Sequence, residues 1–508
     1  MPMEARKSVL SAGEPRRMSS VRWQPIFALL AIMALVVAAC GPGATTSPGA
    51  ASPGVPQPPG GESPAAMSPD APPPGGESPA VMSPDAGTPA ASPDAESPAA
   101  GAFDTCEPAS SDVPVEAAGL EPPANAVTLD FWNPFTGPDG AYMAALVDRF
   151  NAESENVQVT NTTQTEYYTQ INNAAQGGGL PQIAIMHLDQ VAINAANGII
   201  TPVDDLSSQL ELSADEFTEA VWTGTFYQDV QYSIPLDIHP AVLYFNRQYI
   251  QEPPTDQASF EAALQSLQDQ GVTGPVWSNH FFSAGLLWAS LFYQGGGEWT
   301  NADFTEATYN SAAGVEAAQY LRGLVEQGLH PQDAEPDAEV SGFEGGTSGM
   351  AVTGIWQTCR FANALGDDFG VAPIPSIFGD GAWAGSHTLA VPRDVEGDER
   401  QGAYYFIDWI TRNASVWAAG GQIPARSSVR ESANFTGLQF VSDLAPGAEA
   451  AQFPPPIPGS ADLMGGPGGA NEKVIEVITG GGDAQAALDQ SAAQYTQILE
   501  QTKQQYGY

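Results

Sequence analysis

The folded part of this 508-residue chain is predicted to be α/β, with parallel sheets, helices packed outside them, and two lobes. Two observations predict this. Strand-like and helix-like periodicities alternate from Val127 to the end. The stretch 127–508 also exceeds a single hydrophobic core, which stops growing at about 250–300 residues.

The chain begins with an export signal. Arg16, Arg17 and Arg22 precede Ile26–Ala39, a run without charge. That run is shorter than the roughly 20 residues needed to span a bilayer, and it suits the apolar core of a signal peptide. It ends in Val37-Ala38-Ala39-Cys40-Gly41, small residues before a cysteine, which resembles the bacterial lipobox. Residues 1–39 are therefore expected to be a lipoprotein signal peptide and Cys40 the lipidated residue. Met18 would make a more typical start than Met1.

Residues 40–126 are read as a tether of Pro, Gly, Ser, Ala and acid. Within it PGGESPAAMSPDA at Pro59–Ala71 recurs as PGGESPAVMSPDA at Pro74–Ala86. Such a composition buries too little apolar surface to offset chain entropy. It suits a spacer that holds a domain away from a membrane.

The folded part follows. Val127, Leu129 and Phe131 alternate with polar residues as in a strand, and Tyr142, Leu146 and Phe150 recur at helical spacing. Asn156–Thr160 returns as a strand, a helix runs through Ile171 to Gly177-Gly178-Gly179, and Ile183–Met186 is an apolar strand. Further helices are predicted at Phe260–Gln270, Ala284–Gln294, Ala312–Gln327, Arg400–Arg412 and Asp483–Gln504, the last with Asp483 as N-cap. Further strands are predicted at Val242–Phe245, Met350–Ile355, Phe369–Ala372 and Thr388–Val391.

Charge excludes one class of partner. With 16 Lys+Arg against 59 Asp+Glu and a net charge of -43, the chain lacks the basic stripe that displaces phosphate counterions, so no nucleic acid is expected. H-E-x-x-H, G-x-x-x-x-G-K-[ST] and G-x-S-x-G do not occur, and an enzyme is not expected. The five histidines are scattered in sequence, so spacing supports neither a metal site nor any other cofactor.

Several segments together resemble the family 1 extracellular solute-binding proteins, the maltose- and oligosaccharide-binding lipoproteins of ABC importers. They are VTLDFWNPFTGPDG and LVDRFNAES within 127–154, LPQIAIMHLDQVAINAANGIITPVDDL at 180–206, and YSIPLDIHPAVLYFNRQYI at 232–250. GMAVTGIWQTCRFANA with FGVAPIPS at 349–376 follows, then AGSHTLAVPRD at 384–394 and GGQIPARSSV at 420–429. Gln182 stands where the family usually has Asp. The resemblance implies a two-lobe periplasmic-binding-protein-like fold with hinge crossings near Ile234–Val242, Ala384–Thr388 and Gln422–Arg426. It places lobe 1 at about 127–236 plus 388–424 and lobe 2 at about 243–384 plus 427–508.

A neutral sugar needs flat apolar faces for its C–H surfaces and a few polar side chains at the ring edge. Matching motif positions imply Trp132, Asn133, Phe135 and Thr136 after the first strand as ligand contacts, with a core role the alternative for Trp132. His187 and Asp189 follow the Ile183–Met186 strand, where Asp189 would otherwise cap a helix. Asp237 and His239 lie in the first crossing, where His239 would otherwise be a satisfied interdomain histidine. Asn279 and His280, Trp356, Ser386 and His387, and Arg426 complete the set. Trp288, Trp409 and Trp417 are assigned to core. With Cys40 given to the lipid, Cys106 and Cys359 are expected to form a disulfide in an oxidising exterior, two free thiols being the alternative.

The expected function is capture of a sugar or oligosaccharide between the lobes and delivery to ABC permease subunits. The protein would be a monomer, outside the cytoplasm and lipid-anchored to the cell membrane, on the outer face or in the periplasm. A cationic ligand such as a polyamine is the rival. A surface glycoside hydrolase and a passive adhesin are the readings from other classes.

Overall fold

Along Val127–Asn133, Leu129, Phe131 and Asn133 are buried while Thr128 and Asp130 are exposed, so alternate side chains face a core. The computed structural model describes Cys106, Glu107, residues 113–280 and residues 282–508. In the first sheet Val127–Asn133 lies between Val157–Thr163 and Ile183–His187, all parallel. His387–Ala390 pairs antiparallel with Ile183–His187, and Ile234–Pro235 closes the five-stranded order antiparallel to His387–Ala390. Helices Gly140–Glu153 and Gly397–Arg412 cover one face, where the Phe150 ring lies 4.9 Å from Phe406 and 5.3 Å from Trp409. Tyr167, Ile171 and Val191 pack together in a separate cluster with Ala184 and Met186 of the Ile183–His187 strand.

The second sheet is built on Asp237–Asn246, a strand buried along its whole length. Met350–Gly354 and Phe369–Pro373 flank its second half, and Ile423–Pro424 and Ala382–Gly385 flank its start. Apolar residues of helices Ser283–Gln294, Ala312–Glu326, Ala470–Gly480 and Ala484–Tyr506 form the second core, among them Trp288, Leu321, Val474 and Leu488. Asp483 caps the last helix by accepting the Ala486 N–H at 3.0 Å.

The chain passes between the sheets with a single residue between strands. Leu236 separates Ile234–Pro235 from Asp237–Asn246, and Ser386 separates Ala382–Gly385 from His387–Ala390. A third passage is Ile423–Pro424, beside which the Ala425 N–H donates to the Leu236 carbonyl at 3.0 Å. The predicted Val242–Phe245 strand covers only the second half of Asp237–Asn246, because Asp237, His239 and Pro240 interrupt the apolar run ahead of it.

The signal peptide, Cys40 and most of the tether lie outside the described residues. The tether's last stretch corrects its composition-based reading. Val113 is buried, the Glu116 N–H and C=O bond the Asn413 side chain at 2.8 and 2.9 Å, and the Leu120 N–H donates to Asp408 at 3.0 Å. A segment that cannot form a core alone here borrows apolar surface and polar partners from the first lobe. Cys106 is joined to Cys359 in a disulfide, with Cα atoms 4.8 Å apart.

Candidate functional site

Strand ends and crossings of the two sheets converge on a cavity of about 420 Å³. Phe135 and Thr136 reach it from the loop after Val127–Asn133, and His187 and Asp189 from the end of Ile183–His187. His239 and His387 reach it from the first residues of two crossing strands. Trp356 comes from the short turn after Met350–Gly354. Glycine is needed at 354, because a side chain there would occupy the space of the Trp356 ring. Trp356 stands edge-on to His239 with centroids 5.8 Å apart, and Phe282 is also 5.8 Å from Trp356. The wall thus carries several aromatic rings, and no Lys or Arg lies among its described residues.

Asp237 lies just behind this wall, fully buried, and holds it in place. Its Oδ1 accepts from Nδ1–H of His239 at 3.0 Å and from the His387 backbone N–H at 3.0 Å. Its Oδ2 accepts from Nδ1–H of His387 at 2.8 Å and from Trp417 Nε1–H at 2.6 Å. Burial alone would raise the Asp237 carboxyl. His387 and His239, through charge and hydrogen bonds, outweigh burial and hold it well below the usual carboxylate range. Burial lowers His387, against the pull of Asp237. Asp139, also on the wall, is raised to about 6, chiefly by burial and partly offset by His387.

The fold brings together histidines that the sequence scatters. His187, His239 and His387 come together, each with a ring nitrogen within 4.8 Å of the others. Their sequence separation hid this, since His187 ends a strand of the first sheet, His239 is the third residue of one crossing strand and His387 is the first of another.

Of the predicted contacts, Phe135, Thr136, His187, Asp189, His239, Trp356 and His387 line the cavity. Asp237 supports it from behind. The others lie elsewhere. Trp132 packs against the cluster around Tyr167 and Ile171. Asn133 is buried, donating to Asn161 at 2.6 Å and accepting the Phe135 N–H at 3.2 Å. Asn279 donates to the Gln332 carbonyl at 2.6 Å, and His280 accepts the Phe282 N–H at 3.3 Å. Ser386 is buried where the chain changes sheets. Arg426 lies 3.7 Å from Glu216 in a separate pocket. In each case a nearby protein partner or local packing claims the side chain. Asp139, Tyr168, Phe282 and Trp383 line the cavity without having been singled out. Only the Gly137-Pro138-Asp139-Gly140 turn, within a segment used for the family resemblance, carried a signal for one of them.

A model for the bacterial extracellular solute-binding protein family matches residues 145–440, more than half of the chain, and the chain belongs to that family. Its fold is the two-lobe fold of periplasmic solute-binding proteins. The GacH receptor of Streptomyces glaucescens, solved unliganded and with acarbose, matches with a TM-score of 0.66 and 21% identity over 74% of this chain and 99% of that one. The chain is 22% identical to the maltooligosaccharide ABC transporter solute-binding lipoprotein of Streptococcus pneumoniae (strain ATCC BAA-255 / R6), over 65% of this chain and 79% of that protein. It is 24% identical to the sn-glycerol-3-phosphate-binding periplasmic protein UgpB of Escherichia coli O6:K15:H31, over 75% of this chain and 95% of that one.

Proposed function

We propose that the protein captures an uncharged sugar or oligosaccharide in this cavity and hands it, unchanged, to ABC permease subunits. The observation that carries the proposal is the wall itself. Phe135, Trp356, Phe282 and Trp383 offer flat apolar surface for pyranose C–H faces, beside Asp139, Asp189 and the histidines for hydroxyls. Two wall residues add to this: Trp383 Nε1 and Gln357 Oε1 are buried with no protein partner, and a hydroxyl can serve either. The carbohydrate-binding relatives support the same reading. A phosphate such as that named for UgpB needs cationic donors that the described wall lacks.

The two sheets form lobes, about 127–236 plus 388–424 and about 243–384 plus 427–508, that close on the ligand about the crossings at Leu236, Ser386 and Ile423–Pro424. Ligand binding favours the closed form, and the closed form presents the permease-binding surface. The protein works as a monomer outside the cytoplasm, anchored through lipid on Cys40, with the tether as spacer.

Calorimetry against maltooligosaccharides, other neutral oligosaccharides and polyamines tests the proposal, with chromatography of the recovered ligand. Salt-insensitive sugar binding with the ligand returned intact is the expected result. Strongly salt-dependent amine binding, or steady conversion of the oligosaccharide, would overturn it.

A further inference from the structure

The same cavity wall holds a second arrangement whose chemistry does not depend on carbohydrate. His187, His239 and His387 bring one ring nitrogen each within 4.8 Å of the other two. The rings of His239 and His387 lie 4.1 Å apart, and that of His187 lies 4.9 Å from His387 and 6.0 Å from His239. In every one the Nδ1 side is already taken. Asp237 accepts from Nδ1–H of both His239 and His387, one carboxylate oxygen to each. Tyr168 Oη sits 2.6 Å from Nδ1 of His187 and also accepts that residue's backbone N–H at 2.9 Å.

Fixing a proton on Nδ1 leaves Nε2 as a lone pair. For His239 and His387 the carboxylate makes this assignment, and a carboxylate behind an imidazole is the usual way a protein orients and strengthens a metal-binding histidine. Imidazole lone pairs brought face to face repel unless a cation or a proton donor sits among them. Glycine at 385 keeps the place open, because a Cβ there would collide with Nε2 of His239.

We propose that His187, His239 and His387 bind one divalent transition-metal ion of the zinc class through Nε2, with a remaining coordination position open to the cavity. Three neutral nitrogens without a thiolate suit zinc, cobalt, nickel or copper, whereas calcium and magnesium require oxygen ligands. A tetrahedral zinc site spaces its nitrogens roughly 3.4 Å apart. Reaching that spacing from ring centroids 4.1–6.0 Å apart calls for side-chain rotation and small shifts of the crossing strands. Three protein ligands with one open position is the form of site that also accepts an outside oxygen, such as water or a ligand hydroxyl.

The test uses the full chain after treatment with a chelator. Cobalt is titrated and followed by its visible absorption bands, and zinc is titrated by calorimetry. One ion per chain is expected for each. His187→Asn, His239→Asn and His387→Asn should each weaken zinc binding on the order of 100-fold, and Asp237→Asn by about 10–100-fold. In the unaltered protein, zinc should protect all three histidines from diethyl pyrocarbonate, a readout that needs no variant to fold. No saturable cobalt or zinc binding up to millimolar concentration, or no protection of these histidines, overturns the site. Undiminished binding in all three folded variants does the same. Sugar titrations of the chelated and zinc-loaded protein separate the two proposals. Zinc binding without sugar binding removes the carbohydrate reading alone, and sugar binding without zinc binding removes the metal site alone.

Discussion

Asp237 holds His387 at two points. One carboxylate oxygen is 3.0 Å from the His387 backbone nitrogen and the other is 2.8 Å from its Nδ1. Each residue is the first of a strand that has just crossed between the sheets, so this contact ties two crossings together. Trp417 Nε1–H, from a residue expected in the core, completes the tie at 2.6 Å.

Asp237→Asn should therefore destabilise the fold. The amide keeps one acceptor and turns two donors toward a cluster made of donors. A loss of about 3 kcal/mol is expected, as for breaking a buried charge-assisted network. Urea unfolding measures it, and an unchanged midpoint would mean that the carboxylate holds nothing.

Trp356→Ala and Trp409→Ala should separate binding from stability. Trp356 faces the cavity, and its removal should weaken ligand affinity about 10–100-fold. Trp409 is 2% exposed on the buried face of the Gly397–Arg412 helix, so its loss should cost about 3–5 kcal/mol of stability. The folded fraction of that variant should still bind normally. Calorimetry with unfolding curves checks both, and equal affinity losses would place the cavity elsewhere.

His330 should give the fold a sensitivity to acid. It is 2% exposed and stacks on Trp277 at 3.5 Å, accepting the Trp277 N–H on Nε2 and donating from Nδ1 to the Pro331 carbonyl. Burial foremost lowers it to about 3, although the nearby Pro331 and Trp277 carbonyls, 2.8 and 3.1 Å from its ring nitrogens, oppose that. Because the folded value lies below the unfolded one near 6.5, the unfolded chain takes up the proton first. Stability is then complete above about pH 6.5 and falls as pH drops toward 3, by roughly 4 kcal/mol. His330→Gln should flatten that part of the curve of melting temperature against pH. A curve of unchanged slope would assign the acid sensitivity to other groups.

The Cys106–Cys359 link closes a span of 253 residues and pins the segment that leads into residues 113–126. Reducing it, or replacing both cysteines with serine, should lower stability by about 2–4 kcal/mol through the freedom returned to the unfolded chain. Denaturant melts with and without reductant measure the effect. Coincident curves would show that Asp408 and Asn413 hold the segment without it.

Much of the architecture was legible because strand alternation and helical spacing are local properties. The Ala312–Glu326 and Ala484–Tyr506 helices lie within a residue or two of their predicted bounds. The Asp237–Asn246 strand was only half visible, since its polar first residues serve the cavity rather than the core. Phe135, His187 and Asp189 were found at the cavity because loops after parallel strands open toward a cleft. Trp383 and Tyr168 were missed because a cavity-facing aromatic on a strand or helix has the same local pattern as a core aromatic. Arg426 and Asn279 were misplaced because a polar residue in a matching motif looks the same whether it meets a ligand or a neighbouring carboxylate or carbonyl.

The sequence by itself determined the class of fold and the order of its main elements, since these follow from hydrophobic period and chain order, and its resemblance to a family implied the stretches where the chain changes sheets. Only the tertiary structure decided which distant groups meet. His187, His239 and His387 lie far apart in sequence, and Asp237 reaches Trp417 across 180 positions. No local periodicity encodes such a meeting, because it depends on how two separately formed sheets are set against each other.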